Sequence, residues 1–190
     1  MSKNICEILE KNPIIAAIKS NEYIDKIIGS DINIVFILTS NILEISKVIE
    51  TLKETNKYVF VHTDLIDGLS SKSNYTIDYL IENTKLDGII STKHNMIKYA
   101  KSKGIYTIQR FFILDSLSLK NSLRYARENN PDAVEILPGI MPKIIYKMKD
   151  IAEKPVIAGG LIQEKSDIIN AIEAGAYGVS STNPDVWDMY

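Results

Sequence analysis

Apolar residues along this chain come in short unbroken runs rich in Ile, Val, Phe and Tyr, separated by longer stretches where they recur every three or four positions. Unbroken runs predict strands covered on both faces, and the helical recurrence predicts amphipathic helices packed on them. The runs lie at Ile14–Lys19, Ile32–Leu38, Tyr58–Asp64, Gly88–Thr92, Tyr106–Phe112, Ala133–Pro138, Val156–Gly160 and Gly178–Ser181. Between them the helical pattern covers Tyr23–Ile28, Ile42–Glu54, Asn74–Asn83, Asn95–Lys103, Ser116–Asn129, Pro142–Lys149 and Lys165–Ala174. In Ile42–Glu54, for instance, Ile42, Ile45, Val48, Ile49 and Leu52 share one face. Asn41 and Ser116 suit N-caps, and Gly104 and Gly175 suit the position just past a helix end.

Eight strands alternating with seven helices imply parallel strands joined by crossover helices. The fold expected is α/β, a compact TIM-type (β/α)8 barrel whose last helix is cut short, since only "NPDVWDMY" follows the eighth run. A length of 190 residues is economical for that fold, and the loops are correspondingly short. The competitor, an open doubly wound sheet, more often carries G-x-G-x-x-G after its first strand, where this chain has "AIKS". No Ser-, Gly- or charge-rich tract interrupts the pattern, so residues 1–190 are expected to form one barrel domain.

Composition narrows this little further. Hydrophobic residues make up 45% and charged residues 24%, as in an ordinary soluble globular protein. The one cysteine, Cys6, permits neither an intrachain disulfide nor a Cys-based zinc site. The N-terminal stretch alternates charged and apolar residues without a signal-peptide core, and no apolar run approaches the roughly 20 residues of a membrane span. An intracellular, cytoplasmic location with no membrane contact is expected. The net charge of −2 gives no global electrostatic case for nucleic acid.

Function in such barrels gathers at the C-terminal ends of the strands. There the chain places Lys19, Thr39, His62, Asp64, Lys93, Gln109, Arg110, Glu135, Gly159, Gly160, Ser181 and Thr182. Charges inside a barrel are costly unless paired or met by a ligand. Arg110 must point either into the barrel or between helices, in an ion pair with Glu135 or Asp64 or against a ligand, and Glu135 is either its partner or an acceptor for a ligand hydroxyl. His62 and Asp64 share a strand face, yet one His and one carboxylate are a weak metal signal, and no metal or cofactor is expected. Lys93 would serve as a Schiff-base nucleophile if desolvated, or as a phosphate partner. The loops after strands seven and eight frequently hold phosphate in these barrels. "AGGL" and "SSTN" occupy those places, so Gly159, Gly160, Ser181 and Thr182 are the phosphate-binding candidates, against the alternative that the glycines merely turn the chain.

"HTDLIDGLSS", "GIISTK", "TIQRFFILDS", "EILPGIMPKII", "PVIAGGLI" and "STNPDVW" together resemble the glycerol-3-phosphate-responsive antiterminator regulatory proteins of bacterial glycerol uptake operons, the GlpP-like family. The likeness runs from about Pro13 to Trp187. It implies a TIM-type barrel, sn-glycerol 3-phosphate as effector, leader mRNA as target and a regulatory role in which the loaded protein prevents premature transcription termination. Laid on barrel geometry, it implies that Gly159, Gly160, Ser181 and Thr182 hold the phosphate while Lys19, Asp64, Lys93, Arg110 and Glu135 line the site. Asp67 departs from the pattern, giving "DLIDG" where the family carries "DLIHG". Lys143, Lys147 and Lys149 could meet RNA phosphates but also read as a solvated helix face, and a homo-oligomer could build a basic surface that one chain lacks. The alternative function is an enzyme, an aldolase or isomerase acting on a small phosphorylated metabolite through Lys93 with Asp64 or Glu135. The regulatory reading assigns no catalytic residue.

Overall fold

The computed structural model describes residues 5–9 and 11–189. In chain order the elements are α1 (Ile5–Leu9), β1 (Ile14–Ile18), α2 (Ile24–Ile28), β2 (Ile34–Ile37), β3 (Ser40–Asn41), α3 (Ile45–Glu54), β4 (Tyr58–His62), β5 (Ile66–Asp67), α4 (Tyr75–Asn83), β6 (Gly88–Ser91), α5 (His94–Ser102), β7 (Tyr106–Phe112), α6 (Ser116–Asn129), β8 (Ala133–Leu137), α7 (Pro142–Ala152), β9 (Val156–Gly159), α8 (Lys165–Glu173) and β10 (Gly178–Ser181). Short 3₁₀ turns precede α2 at Asn21–Tyr23 and follow β10 at Val186–Asp188. The eight longer strands pair in parallel and close into a barrel in the order β1, β10, β9, β8, β7, β6, β4, β2. The expected barrel and its truncated last helix are therefore both present, while β3 and β5 form a separate two-stranded pair at the mouth.

Each continuously apolar strand serves two cores at once, because successive side chains point to opposite faces. Ile15, Ala17, Ile34, Phe36, Phe60, Ile90, Ile108 and Ile157 fill the barrel interior. Their neighbours Ala16, Val35, Val59, Val61, Ile89, Val134 and Ile136 pack outward under the helices. The interior is closed at its N-terminal end by α1, whose Ile5, Ile8 and Leu9 are almost fully buried within the inner cluster. Gly178 makes room for this plug, since a Cβ there would lie 2.7 Å from Leu9 Cδ2.

Several local expectations shift. The first residue of α6 is Ser116, but its N-cap is Asp115, whose carboxylate accepts from Ser118 N at 2.7 Å while Ser118 Oγ accepts from Asp115 N at 2.9 Å. A carboxylate caps at least as well as a hydroxyl, and here the reciprocal bond selects it. Asn41 Oδ1 accepts from the N–H groups of Leu43 and Glu44, capping the turn that leads into α3 rather than a helix starting at Ile42. Gly104 and Gly175 sit past the ends of α5 and α8 with φ of 80° and 100°, the left-handed geometry expected of them. Among the described residues no helix is long and apolar enough to cross a membrane.

Candidate functional site

Arg110 and Glu135 stand directly opposite each other in the β7–β8 register and both face into the barrel, one layer above Ile108 and Ala133. Arg110 Nε donates to Glu135 Oε2 at 2.6 Å, with the side chains 7% and 1% exposed. Ser180, on β10, donates to the other carboxylate oxygen at 2.6 Å. β9 lies between β8 and β10, and its residue at that level is Gly159. A Cβ on Gly159 would lie 2.5 Å from Ser180 Oγ and 2.7 Å from Glu135 Oε1. Gly159 is thus the gap through which Ser180 reaches Glu135, and a buried ion pair needs such added hydrogen bonds to offset its desolvation.

Above this network opens a cleft of about 540 Å³. Its lining includes Lys19 and Thr39 after β1 and β2, Arg110 and Glu135 in the barrel, the turn Gly160–Gln163 after β9, and Ser181, Thr182 and Asn183 after β10. Gly160 and Leu161 turn through two successive left-handed residues, φ 75° and 61°. The Gly160 carbonyl accepts from Gly139 N at 3.0 Å, and a Cβ on Gly160 would press on Leu137 at 3.2 Å. Ser181 Oγ is committed to the loops themselves, donating to the Ile162 carbonyl at 2.9 Å and accepting from Asn183 N at 3.1 Å. Trp187 Nε1 donates to the Ser181 carbonyl at 2.9 Å, so the tail pins the same loop from below. The N-terminus of α8 is capped by its own acids: Asp167 accepts from Gln163 N and Glu164 N, and Glu164 is the N-cap. Positive charge at this end of the cleft therefore comes from Lys19 and Arg110 rather than from the helix dipole.

Of the residues marked in the sequence, Lys19, Arg110, Glu135, Gly160, Ser181 and Thr182 line this cleft together, and Gly159 lies beneath it. Asp64 and Lys93 are not in its lining. The Asp64 carboxylate accepts from Ser91 Oγ at 2.5 Å and from Thr92 N and Oγ1 at 2.9 and 2.6 Å. Burial alone would raise its pKa, but these hydrogen bonds prevail and hold it below the ordinary value. Lys93 is the exposed N-cap of α5, its N–H bonded to Ser91 Oγ. Gln109 faces outward, accepting from Asn129 at 3.0 Å and contacting His94.

Two interior residues gain importance. Ser180 completes the Glu135 network on the inward face it shares with Gly178, and the sequence does not signal it, because the two adjacent serines of "SST" do not say which hydroxyl faces in. His62 is 3% exposed and its Nδ1 has no hydrogen-bond partner among the described residues. Burial, reinforced by the Arg110 cation, lowers its pKa to about 4, so the ring is neutral. Among the described residues no cluster of three or more His, Cys, Asp or Glu side chains could hold a metal ion.

The comparisons with known proteins agree with this architecture. An uncharacterized protein of Escherichia coli, YgcP, is 40% identical over 185 residues, covering 97% of this chain and 96% of its own. The crystal structure of the glycerol uptake operon antiterminator regulatory protein of Listeria monocytogenes superposes with a TM-score of 0.90 at 32% identity, over 94% of this chain and 96% of that one. A glycerol uptake operon antiterminator-related protein of Thermotoga maritima gives 0.80 at 31%, over 92% and 96%. The family model of the glycerol-3-phosphate responsive antiterminators matches residues 14–187, from the first barrel strand to the tryptophan that pins the last loop, and the chain belongs to that family.

Proposed function

We propose that this chain binds sn-glycerol 3-phosphate in the cleft at the barrel mouth and, so loaded, binds the leader mRNA of a glycerol uptake operon in the cytoplasm and prevents premature transcription termination. The observation that carries the ligand half is the pairing of Lys19 and Arg110 with the Gly160 turn and the Ser181–Thr182 loop around one cleft. In this reading the phosphate is met by Lys19, Arg110, Thr182 and the backbone of the two loops, with Gly159 and Ser181 shaping the cradle from below. Glu135 and Thr39 are the acceptors available to the glycerol hydroxyls. The antitermination half rests on membership of the family. A Schiff-base enzyme on the same cleft would need a desolvated lysine there, and both Lys93 and Lys19 are exposed. Binding without turnover is the reading this favours.

Thermal denaturation tests the cleft. A ligand at about 100 times its Kd stabilises the folded state by about 2.7 kcal/mol, a rise of several degrees for a chain of this size. Glycerol 3-phosphate is expected to give that rise, and Gly160→Val, which forces a branched side chain into the left-handed turn against Leu137, is expected to abolish it while leaving the circular dichroism spectrum unchanged. No shift in the unsubstituted protein would remove the ligand assignment.

A further inference from the structure

The chain has three arginines, and two of them, Arg124 and Arg127, lie on α6. With Lys120 they occupy positions i, i+4 and i+7, one exposed face of that helix. Lys147 of α7 lines the same shallow hollow, about 620 Å³ in volume. Lys143 and Tyr146 continue along α7 into an adjoining hollow. Five cations thus face two acids, Glu128 and Asp150, on a molecule whose net charge is −2. Neutralisation within the face is weak: Glu128 lies 3.9 Å from Arg124 Nε with both side chains more than half exposed. The face also carries an exposed aromatic ring, Tyr146, 65% exposed with no cation over it among the described residues, whereas Tyr125, which lies under Arg124 at 4.6 Å, stacks on His94 of α5 at 4.0 Å. Lys149 does not belong to this face, because its side chain packs where a Cβ of Gly175 would be.

Clustered cations beside an exposed aromatic ring fit one partner chemistry, a flexible nucleic-acid strand whose phosphates meet the cations and one of whose bases stacks. We propose that the α6–α7 face is the RNA-binding surface of this protein, with Lys120, Arg124, Arg127, Lys143 and Lys147 on the sugar–phosphate backbone and Tyr146 under an unpaired base. This rests on the antitermination reading and gives it a place on the molecule. The same two helices are fed directly by β7 and β8, the strands that carry Arg110 and Glu135. The loop entering α7 is bonded to the ligand turn through Gly139 N and the Gly160 carbonyl.

Fluorescence anisotropy with a labelled leader transcript of a glycerol uptake operon, in saturating glycerol 3-phosphate and across a salt series, tests the assignment. The triple reversal Lys120→Glu, Arg124→Glu, Lys147→Glu is expected to weaken binding at least about 100-fold and to reduce the slope of log K against log salt by about 2, the value for three lost contacts to a single strand. Reversing Lys47, Lys72 and Lys98, on other faces, is expected to change neither, and both variants are expected to keep the thermal shift with glycerol 3-phosphate. Tyr146→Ala is expected to weaken binding about tenfold at an unchanged salt slope. Undiminished binding by the α6–α7 reversal overturns this surface and leaves antitermination standing. Absence of binding by the unsubstituted protein overturns both.

Discussion

Glu135 accepts from Arg110 and from Ser180 at the floor of the cleft, where the two charges are almost wholly buried. Removing one partner of such a pair strands the other, at a cost of about 3–5 kcal/mol, whereas removing one neutral donor to the carboxylate costs about 1.5–3 kcal/mol. Urea unfolding is therefore expected to rank Glu135→Ala as more damaging than Ser180→Ala, and equal losses would mean that Arg110 finds another partner. His62 gives the molecule a dependence on pH. Its folded pKa of about 4 lies below the ordinary value, so the unfolded chain binds the proton first as pH falls. The stability it contributes is complete above about pH 6.5 and is lost as pH drops towards about 4, to a total of about 3 kcal/mol. Asp64, also held below its ordinary pKa, loses its contribution at more acidic pH still, as the pH falls below the ordinary carboxylate value towards its lower folded one. His62→Gln is expected to flatten the limb between about pH 6.5 and about pH 4, followed as the urea midpoint. An unchanged limb would place the titration elsewhere. The sequence offered Arg110 and Glu135 as partners or as ligand contacts, and only the register of β7 against β8 decides that they pair. Gly159 and Gly160 read alike in "PVIAGGL", yet one is the gap under Ser180 and the other the left-handed turn. Nothing local separates them, because the atoms they make way for come from other strands.

At the level of elements, the alternation of apolar runs and helical stretches was enough to lay out all eight barrel strands, since a strand buried on both faces has to be apolar throughout. The same reasoning passed over α1, which spans only five residues and owes its position to the open end of the barrel rather than to its own periodicity. That dependence makes it a sensitive element. Leu9 is fully buried against Gly178, so Leu9→Ala is expected to cost about 2–5 kcal/mol in urea unfolding. Ile169→Ala on the exposed side of α8 is expected to change stability by less than about 0.5 kcal/mol. A comparably small loss at Leu9 would mean that the plug is not closed in solution. The two-residue strands β3 and β5 were equally illegible, because two residues carry no periodicity and their pairing depends on loops brought together by β2 and β4. Departures in the helix ends have a simple cause: apolar periodicity marks where a helix is covered, whereas the cap, as at Asp115, is set by which side chain reaches the first free N–H groups.

For the whole molecule, the consequence lies in how the mouth and the outer helices are joined. β7 and β8 contribute Arg110 and Glu135 to the cleft and then run into α6 and α7, while Gly139 ties the α7 entry to the Gly160 turn. A ligand that orders the Gly160 turn and draws on Arg110 acts on the segments from which both helices start. If effector and RNA both favour that ordered arrangement, each must strengthen the other by the same factor, because the coupling is a property of the pair of equilibria and not of either ligand. The factor expected is about 5–150, the usual range for coupling energies of about 1–3 kcal/mol. Calorimetric titration of glycerol 3-phosphate into the protein, alone and saturated with leader transcript, gives one side of the cycle. Anisotropy with the labelled transcript, with and without glycerol 3-phosphate, gives the other. Gly139→Pro removes the N–H that reaches Gly160 and sets a Cβ 2.7 Å from Gly159 N, so it forces the α7 entry and the Gly160 turn apart. With the circular dichroism spectrum unchanged, it is expected to bring both factors towards one while the α6–α7 cations still bind RNA with the same salt slope. Equal factors that persist in Gly139→Pro would show that coupling runs through Arg110 and Glu135 instead. A factor of one in the unsubstituted protein would mean that the cleft and the RNA surface act independently.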